Sequence, residues 1–495
     1  MIKNSLLLLL VCITLFPGLV PLQGQQYDQN WPVGILEYPG NSLYGNAIIR
    51  FEGSTPIVKK HDLKMNFERT VAAMSDSLGT LLFYSNGCYI ATASGDTMLN
   101  GAEINPGTMH DWVCPENGYN VQRGMLVLPD PGNSMRYYLF HLGARYTPND
   151  GLSTGPLYYS LIDMSVENGV GAVISKNNVL LDSLPESFTA IRHGNGRDWW
   201  VVCPIYGTNQ YERFLLVPEG IISAGAAFTG PSVNCTRTGV LAASPDGTKL
   251  ARTQNCRTVV LDFDRCSGSL TNPIIFERSP YTFAGGGAAF SENGERLLVS
   301  EHMAILQADL TAASPQLDTV VPFDSLIGRG LQIMERGPNG KLYFSLPHRG
   351  RAIPVLEGLD DDNISFNKTG LQLPVYSVRS LPHFPNYRLY DFADSPCDTL
   401  DIDTPVVTKN METTIDDFSI YPNPSSGVVR LSTTIQGYPD YQMIITDLLG
   451  NTISSERMII PGMTIDLSNH PEGVYYIHLK KGLTFITMLK LVIIK

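Results

Sequence analysis

Residues 239–252 read GVLAASPDGTKLAR. This stretch predicts a short apolar strand, a Pro-Asp-Gly turn and a second strand, and Gly247 supplies the positive φ that lets the chain reverse tightly. The pattern recurs around five other glycines: Gly79, Gly132, Gly196, Gly294 and Gly340. In chain order the six turn glycines are 53, 64, 51, 47 and 46 residues apart. A strand–turn–strand unit is therefore the repeating element of the chain.

A strand-based period of roughly 45–60 residues predicts a β-propeller with one repeat per blade. A degenerate copy, SLPHFPNYRLYDF, contains Asn386, and two strand-like runs at residues 45–51 and 56–60 precede the first full repeat. Because an open propeller would expose strand edges, we expect these N-terminal strands to pair with the degenerate copy near residues 376–392. The sequence thus predicts an all-β, seven-bladed propeller over residues 25–392, with six blades as the alternative.

Both ends of the chain differ from the repeats. Residues 1–24 have Lys3 ahead of a short apolar run, which is typical of a secretory signal peptide, and we expect no transmembrane span after its removal. Residues 393–416 are rich in Asp, Thr and Pro and predict a linker. Residues 417–495 contain seven short strand-like runs, which predict a small immunoglobulin-like β-sandwich.

Composition narrows the functional classes. The chain has 495 residues and a formal net charge of −12, without a basic cluster. Such a surface argues against nucleic-acid partners and against anionic membranes. The sequence contains no phosphate-binding loop, dinucleotide fingerprint or His-Glu-x-x-His motif. We therefore assign no catalytic residue, cofactor or metal, although a propeller enzyme needs no linear motif.

Eight cysteines occur, one of them in the signal segment, and none forms a Cys-x-x-Cys pair. In an exported protein some of them should be disulfides. Cys88 and Cys114 map to one face of the first full repeat, whereas Cys235 and Cys256 flank the first two strands of the repeat around Gly247. We predict the disulfides Cys88–Cys114 and Cys235–Cys256, since both pairs could reach bonding distance.

Polar residues recur where the second strand of a repeat should end, on the face opposite the repeated turns. The long excursion at residues 101–124 should lie on that face, and loops of this length are often functional. The candidate ligand face comprises His110, Trp112, Tyr119, His141, Glu301, His302, His348, Arg349 and Arg351. Equivalent places in different blades can be more than ~10 Å apart, too far for one metal ion. A second interpretation makes the histidines solvated loop ends and both aromatic residues core.

Residues 70–390 contain the phrases LLFYSNGCYI, YYSLIDMSVENGVGAV, SPDGTKLA, LDFDRCSG and GPNGKLYFS. With them the region resembles the propeller regions common in exported proteins of Bacteroidota. This resemblance implies a fold and no settled activity.

Residues 417–495 carry a second set of marks. A Tyr-Pro-Asn-Pro run leads to a glycine, an Asp-Leu-Leu-Gly turn follows, and a Gly-Val-Tyr-Tyr run precedes an apolar end with lysines. The marked residues are Pro422, Asn423, Pro424, Gly427, Asp447, Gly450, Gly473, Tyr475, Lys490 and Lys495. The unit resembles the type A C-terminal sorting domain of the type IX secretion system. This resemblance implies that the secretion machinery is a partner and that the cargo is released or held at the cell surface, usually after the domain is removed. An ordinary accessory sandwich is the alternative.

Three functional hypotheses follow. The first is a secreted or cell-surface propeller that binds an unknown extracellular ligand or acts as a scaffold, without enzymatic activity. The second is a propeller lyase or hydrolase that acts on extracellular polysaccharide or peptide. The third is a structural component of the envelope. Acidic residues clustered with His or Arg at the channel mouth would favour the enzyme, and scattered aromatic and amide groups would favour binding.

Overall fold

The computed structural model describes residues 25–494 apart from residues 37–39, 115, 148–150, 234, 236–238, 255, 279–286, 302–303, 323–330, 361–363, 393–394, 399, 401–417, 434–440, 447–451, 457–462 and 482–483. The predicted signal peptide and most of the predicted linker lie outside this range. The chain divides into two compact units, residues 1–404 and 405–495. Each unit is described by itself.

The described residues of the first unit form seven antiparallel sheets, and within each sheet neighbouring strands are consecutive in the chain. The first sheet contains β1 (Asn30–Ile35), β2 (Gly45–Arg50) and β3 (Ile57–His61), and the second β4 (Ala72–Ser75), β5 (Leu81–Ser85) and β6 (Ile90–Thr92). The third contains β7 (Met125–Asp130), β8 (Asn133–Thr147), β9 (Gly151–Asp163) and β10 (Ala172–Leu181), and the fourth β11 (Thr189–Arg192), β12 (Trp199–Pro204), β13 (Gln210–Val217) and β14 (Gly220–Phe228).

The remaining three sheets have four strands each. The fifth contains β15 (Val240–Ala243), β16 (Lys249–Thr253), β17 (Arg257–Phe263) and β18 (Leu270–Glu277), and the sixth β19 (Ala288–Phe290), β20 (Arg296–Ser300), β21 (Ala304–Asp309) and β22 (Asp318–Pro322). The seventh contains β23 (Met334–Arg336), β24 (Leu342–Phe344), β25 (Gly350–Glu357) and β26 (Ser365–Ser377). A short helix, α1 (Thr108–Val113), and a 3₁₀ turn at Glu167–Gly169 lie in loops. This arrangement is a β-propeller; the number of blades stays a prediction.

Each predicted strand–turn–strand unit forms the first two strands of one sheet. Gly247, in the turn between β15 and β16, has φ 73°. An added Cβ there would lie 2.8 Å from the Ile191 side chain, so both backbone and space require glycine. We call the side with these turns the lower face. The upper face is the opposite side, where the first strand of each sheet begins and the second ends.

The apolar residues of the strands pack between neighbouring sheets. Trp199 and Trp200 alternate along β12 and enter different apolar clusters, and both are at most 4% exposed. Both tryptophans are therefore core residues.

The predicted closure of the ring is wrong. The N-terminal strands β1–β3 pair with one another, and β26 of the seventh sheet packs beside them. The backbone N–H of Tyr376 donates to the carbonyl of Leu43 at 2.8 Å. Residues 378–392 contain no strand. Pro382 and Pro385 lack the N–H groups that a ladder strand needs, which accounts for the failure of the degenerate copy to pair.

Residues 378–392 instead run through the centre of the ring, and we call them the channel segment. Leu381, Phe384 and Tyr387 are 1%, 9% and 1% exposed. The Tyr387 hydroxyl donates to the carbonyl of Val127 in β7 at 2.6 Å, and Arg388 pairs with Asp28 at 2.6 Å. The degenerate copy therefore fills the channel rather than adding a blade.

Both predicted disulfides are present, with Cα–Cα distances of 5.5 Å for Cys88–Cys114 and 5.8 Å for Cys235–Cys256. A third, unpredicted disulfide joins Cys266 to Cys397. It ties the first residues of the predicted linker to the fifth sheet. Cys203 is buried and free.

The second unit is an antiparallel sandwich, as predicted. One sheet has the order β27 (Phe418–Tyr421), β28 (Val428–Thr433), β31 (Thr464–Asp466). The other has the order β30 (Thr452–Glu456), β29 (Tyr441–Thr446), β32 (Gly473–Lys481), β33 (Thr484–Ile493). Leu431, Ile445 and Ile477 lie in its core and are at most 1% exposed.

Candidate functional site

Two adjoining cavities of about 260 and 280 Å³ lie on the upper face of the propeller, and we call them together the upper-face groove. Both are lined by Glu68, Asn117 and Arg379. The walls come from the loop before β4, the loop that carries α1, the bend between β24 and β25, and the start of the channel segment. The first and last sheets of the ring therefore meet at this groove.

An ion pair crosses the groove. Arg379 Nη1 lies 3.1 Å from Glu68 Oε1, and both side chains are about one-third exposed or less. Arg379 also donates through Nε to the carbonyl of Pro347 at 3.1 Å and through its backbone N–H to that of Leu346 at 2.8 Å. These contacts hold the Arg379 side chain in one place.

Arg69 lies beside this pair in the larger cavity. Its φ of 140° is rare for a residue with a side chain, and Arg379 has φ 55°. Burial, and then the positive charge of Arg379, lower the pKa of Arg69, while Glu68 acts in the opposite direction. Arg69 forms neither a hydrogen bond nor an ion pair with residues that the structure describes. Strained backbone that surrounding structure maintains often marks a functional position.

Trp112 lines the same cavity and is 70% exposed. It lies on α1, whose end is fixed by the disulfide from Cys114 to Cys88 after β5. Asn66 Nδ2 donates to the carbonyl of Glu116 just beyond this helix. The indole is thus presented on a braced loop.

The structure brings four of the predicted ligand-face residues to the groove. Trp112 and Tyr119 line the larger cavity, and His348 and Arg349 line the smaller one. Tyr119 is only 2% exposed and its hydroxyl accepts the N–H of Ala144 at 2.7 Å, so it forms the floor of the cavity. Arg349 lies near Tyr44, with Nη1 3.4 Å from the phenol oxygen.

Other predicted residues lie elsewhere. His110 is beside Asp111 on α1, Glu301 pairs with Arg278 at 3.3 Å, and Arg351 donates to the carbonyl of Leu373 in its own sheet. None of the three lines either cavity. His302 lies outside the described residues.

His141 is fully buried, which differs from the solvent-facing position that the sequence predicted. Its Nδ1 lies 2.6 Å from Asn105 Oδ1 and its Nε2 3.0 Å from Ser160 Oγ. The amide oxygen only accepts, so Nδ1 donates and Nε2 accepts from the hydroxyl. Burial lowers the pKa of His141 to about 3. This neutral histidine braces the loop that leads to α1.

Replacing His141 with glutamine is expected to weaken the acid sensitivity of the fold. Between pH 6.5 and 3 the unfolded chain binds a proton at His141 that the folded chain does not, so the free energy of unfolding falls as pH falls. One such proton contributes a slope of up to about 1.4 kcal/mol per pH unit. Urea unfolding from pH 7 to pH 4 measures this slope. His61→Gln, which changes an exposed histidine in β3, is the matched control, and equal slopes in all three proteins would contradict the assignment.

The sequence prediction missed Glu68, Arg69, Asn117 and Arg379. It considered residues that follow second strands and the histidine and aromatic residues of the excursion at residues 101–124, which contains Asn117. By contrast, Glu68 and Arg69 precede a first strand and Arg379 follows a last one. All three positions belong to the upper face in a propeller. Including the residues before first strands and after last strands in the candidate face would have identified Glu68, Arg69 and Arg379.

A second group of ionisable residues lies inside the channel. Arg123 Nη1 is 3.2 Å from Glu335 Oε2, and burial raises the pKa of Glu335 to about 7 although the charge of Arg123 opposes this. Burial and the charge of Arg123 hold the pKa of His383 well below its ordinary value. Arg123 and Glu335 line a cavity of about 160 Å³ that also includes lower-face turn residues. Among the described residues, no group of three or more His, Cys, Asp or Glu side chains could hold a metal ion.

The marked residues of the second unit have structural roles. Asn423 Oδ1 accepts the N–H of Val492 at 2.9 Å, and the Tyr475 hydroxyl donates to the carbonyl of Pro471 at 2.8 Å. Gly427 has φ 116°, and an added Cβ would lie 2.6 Å from the Ser468 Cα. Pro422, Pro424 and Gly473 belong to the same described framework, while Asp447, Gly450, Lys495 and the side chain of Lys490 lie outside it.

Residues 419–495 match the model of the secretion system C-terminal sorting domain. The second unit is a sorting domain. A sorting domain of this kind marks secreted or cell-surface proteins and implies contact with the secretion machinery, so this protein is a secreted cargo with a β-propeller ahead of its sorting domain. Within the described residues, no helix has the length and apolar character needed to cross a membrane.

Solved structures give a likeness of fold only. One is a protein from Lactobacillus plantarum, with 10% identity, a TM-score of 0.43 and coverage of 71% of this chain and 98% of the other. The Dos1 propeller has 11% identity, a TM-score of 0.33 and coverage of 64% and 87%. The β-propeller domain of Cps50 (Swd1) from Myceliophteria thermophila has 11% identity, a TM-score of 0.35 and coverage of 72% and 97%. No curated protein matches the chain.

Replacing Gly427 with alanine is expected to block secretion. The positive φ and the 2.6 Å approach to Ser468 leave no room for a Cβ, so the sandwich must distort. We expect precursor to accumulate in the cells and the secreted protein to fall at least tenfold, as measured by immunoblots of medium and cell fractions. Ser426→Ala, at the exposed neighbouring position, should be secreted normally. Normal secretion of Gly427→Ala would show that the sorting domain tolerates the distortion.

Proposed function

We propose that this secreted propeller is a non-enzymatic binding protein that holds an extracellular ligand in the upper-face groove. The observation that supports this best is the presence of an exposed indole, two arginines and two amide side chains in one groove: Trp112, Arg69, Arg379, Asn66 and Asn117. Ligand sites combine apolar surface with a few placed polar groups, and together the two cavities reach the ~300–1,000 Å³ typical of such sites.

The groove is held in shape before any ligand arrives. The Cys88–Cys114 disulfide fixes the end of α1. The Glu68–Arg379 ion pair joins the loop before β4 to the segment after β26. Asn66 connects the loop before β4 to the loop after α1. Gly118 has φ 80°, and a Cβ added there would lie 2.9 Å from the Asn66 carbonyl oxygen, so the two walls approach closely at this glycine. A preorganised site avoids the entropy that ordering a loop would cost on binding.

An array of extracellular oligosaccharides and peptides, probed with the full-length protein, tests this function. Trp112→Ala is expected to weaken the bound array member at least tenfold, because an aromatic anchor contributes much of the binding energy of such a site. Phe228→Ala is the matched control, since Phe228 is 67% exposed on the outer edge strand β14. An array without any ligand, or a ligand whose affinity survives Trp112→Ala, would overturn the proposal.

One observation favours a second candidate function, a hydrolase or lyase that uses the cavity lined by Arg123 and Glu335. Glu335, with a pKa near 7, combines with Arg123 and His383 in the kind of cluster that proton transfer requires. If this candidate is right, the full-length protein releases new reducing ends or unsaturated products from an array polysaccharide, and Glu335→Gln lowers the rate at least 100-fold. Absence of turnover on every array member that binds would exclude it.

A further inference from the structure

Although the protein is acidic overall, arginines line both cavities of the groove. Its arginines are Arg69, Arg349 and Arg379, and its carboxylates are Glu68 and Glu116. Glu68 is already paired with Arg379. An anion that entered the larger cavity would meet Arg69, whose guanidinium forms no ion pair with a described carboxylate.

Arg69 is the residue that an anion would satisfy. Elsewhere in the propeller, Arg252, Arg278 and Arg388 each lie against a carboxylate. Arg69 makes no such contact among the described residues; the charge of Arg379 disfavours its positive charge, and the charge of Glu68 favours it. A carboxylate at this point would remove the repulsion and would match the planar fork of the guanidinium with two parallel hydrogen bonds.

The rest of the groove indicates what carries the carboxylate. Trp112 offers an exposed flat ring in the same cavity as Arg69, and the apolar C–H face of a pyranose packs on such a ring. Asn117 offers an amide group for sugar hydroxyls. An extended peptide would instead seek a free strand edge, and the walls of this groove are loops.

We propose that the upper-face groove recognises an acidic oligosaccharide, with the carboxylate of a uronic acid on Arg69 and a sugar ring on Trp112. This inference rests on the proposed binding function and adds the ligand class to it. We expect the negative charge of the ligand to affect its affinity for the groove more than the stacking of its sugar ring on Trp112 does.

Calorimetric titration of the full-length protein with tetragalacturonate and with its methyl ester tests the inference. The ester lacks the negative charges of the acid and carries a methyl group on each carboxyl. We expect the acid to bind at least tenfold more tightly than the ester, and added salt at about 300 mM to weaken the acid alone. Arg69→Gln, which keeps a Cβ at the strained position, should abolish the preference for the acid over the ester. Arg145→Gln removes an exposed arginine of β8 that pairs with Asp182, and should keep the preference.

Each other result contradicts the inference in a recognisable way. Equal binding of acid and ester, lost in Trp112→Ala, would overturn the carboxylate site and leave the binding function standing. If neither probe binds but an array peptide or neutral sugar binds through Trp112, the carboxylate site is overturned and the binding function stands. Acid binding that is unchanged by Arg69→Gln would place the anion elsewhere. Failure of both probes and of the whole array would overturn both proposals.

Discussion

A chain that ends at Ser377 is expected not to fold, whereas a chain that ends at Asp398 keeps the propeller. The shorter chain lacks the channel segment and therefore leaves the centre of the ring hollow. Leu381, Phe384 and Tyr387 are almost fully buried there, and each such side chain contributes about 1.5–3 kcal/mol. Their combined loss is comparable with the ~5–15 kcal/mol by which a domain is stable. Circular dichroism and thermal unfolding of both chains measure the difference.

A point variant separates the effect of losing one buried side chain from the effect of deleting the whole channel segment. Tyr387→Ala in the longer chain should lower the free energy of unfolding by about 3–5 kcal/mol. Tyr387→Phe, which removes only the 2.6 Å hydrogen bond to Val127, should cost about 1 kcal/mol. A chain ending at Ser377 that unfolds at the same temperature as the longer one would show that the sheets close without a central support.

Glu186→Gln is expected to destabilise the propeller by about 3–5 kcal/mol, because it leaves a buried arginine without its counter-charge. Arg252 and Glu186 have fully buried side chains and meet through two contacts, Nε to Oε1 at 3.0 Å and Nη2 to Oε2 at 2.7 Å. Arg252 also donates to the carbonyls of Thr208 and Ile205. The pair thus connects the fourth and fifth sheets. Urea unfolding measures the change in the free energy of unfolding, provided that its dependence on urea concentration, the m value, is the same in both proteins.

The double variant Glu186→Leu with Arg252→Met is the control. It removes both charges and with them the cost of taking the charges out of water. Its free energy of unfolding should therefore be closer to that of the natural protein than the value for either single variant. A double variant that loses as much as the sum of the two single changes would mean that the pair does not act as a unit.

Much of the fold follows from local pattern. The turn around Gly247 needs only a positive φ within a few residues, and the alternation along β12 is enough to bury Trp199 and Trp200. The disulfides Cys88–Cys114 and Cys235–Cys256 are only 26 and 21 residues apart, so the strand layout of one repeat brings each pair together. By contrast, Cys266–Cys397 spans 131 residues and depends on the path of the channel segment.

The groove was predictable in part. Trp112, His348 and Arg349 were placed on the upper face because loops at strand ends share a face in a propeller. Burial of His141 was missed because its polar partner, Asn105, comes from a loop whose path the sequence does not give. Arg69 was missed because the sequence around it does not show whether an arginine forms an ion pair in the folded protein.

The sequence by itself determined the strand–turn–strand repeats, the sandwich at the C-terminal end and the marks of the sorting domain, since each depends on residues close together in the chain. Only the tertiary structure decided that residues 378–392 fill the channel and that Glu68 meets Arg379, 311 residues away. The reason is ring closure. It brings together the first and last sheets of the propeller, and contacts between residues so far apart in sequence are set by the packing of all the sheets rather than by any local pattern.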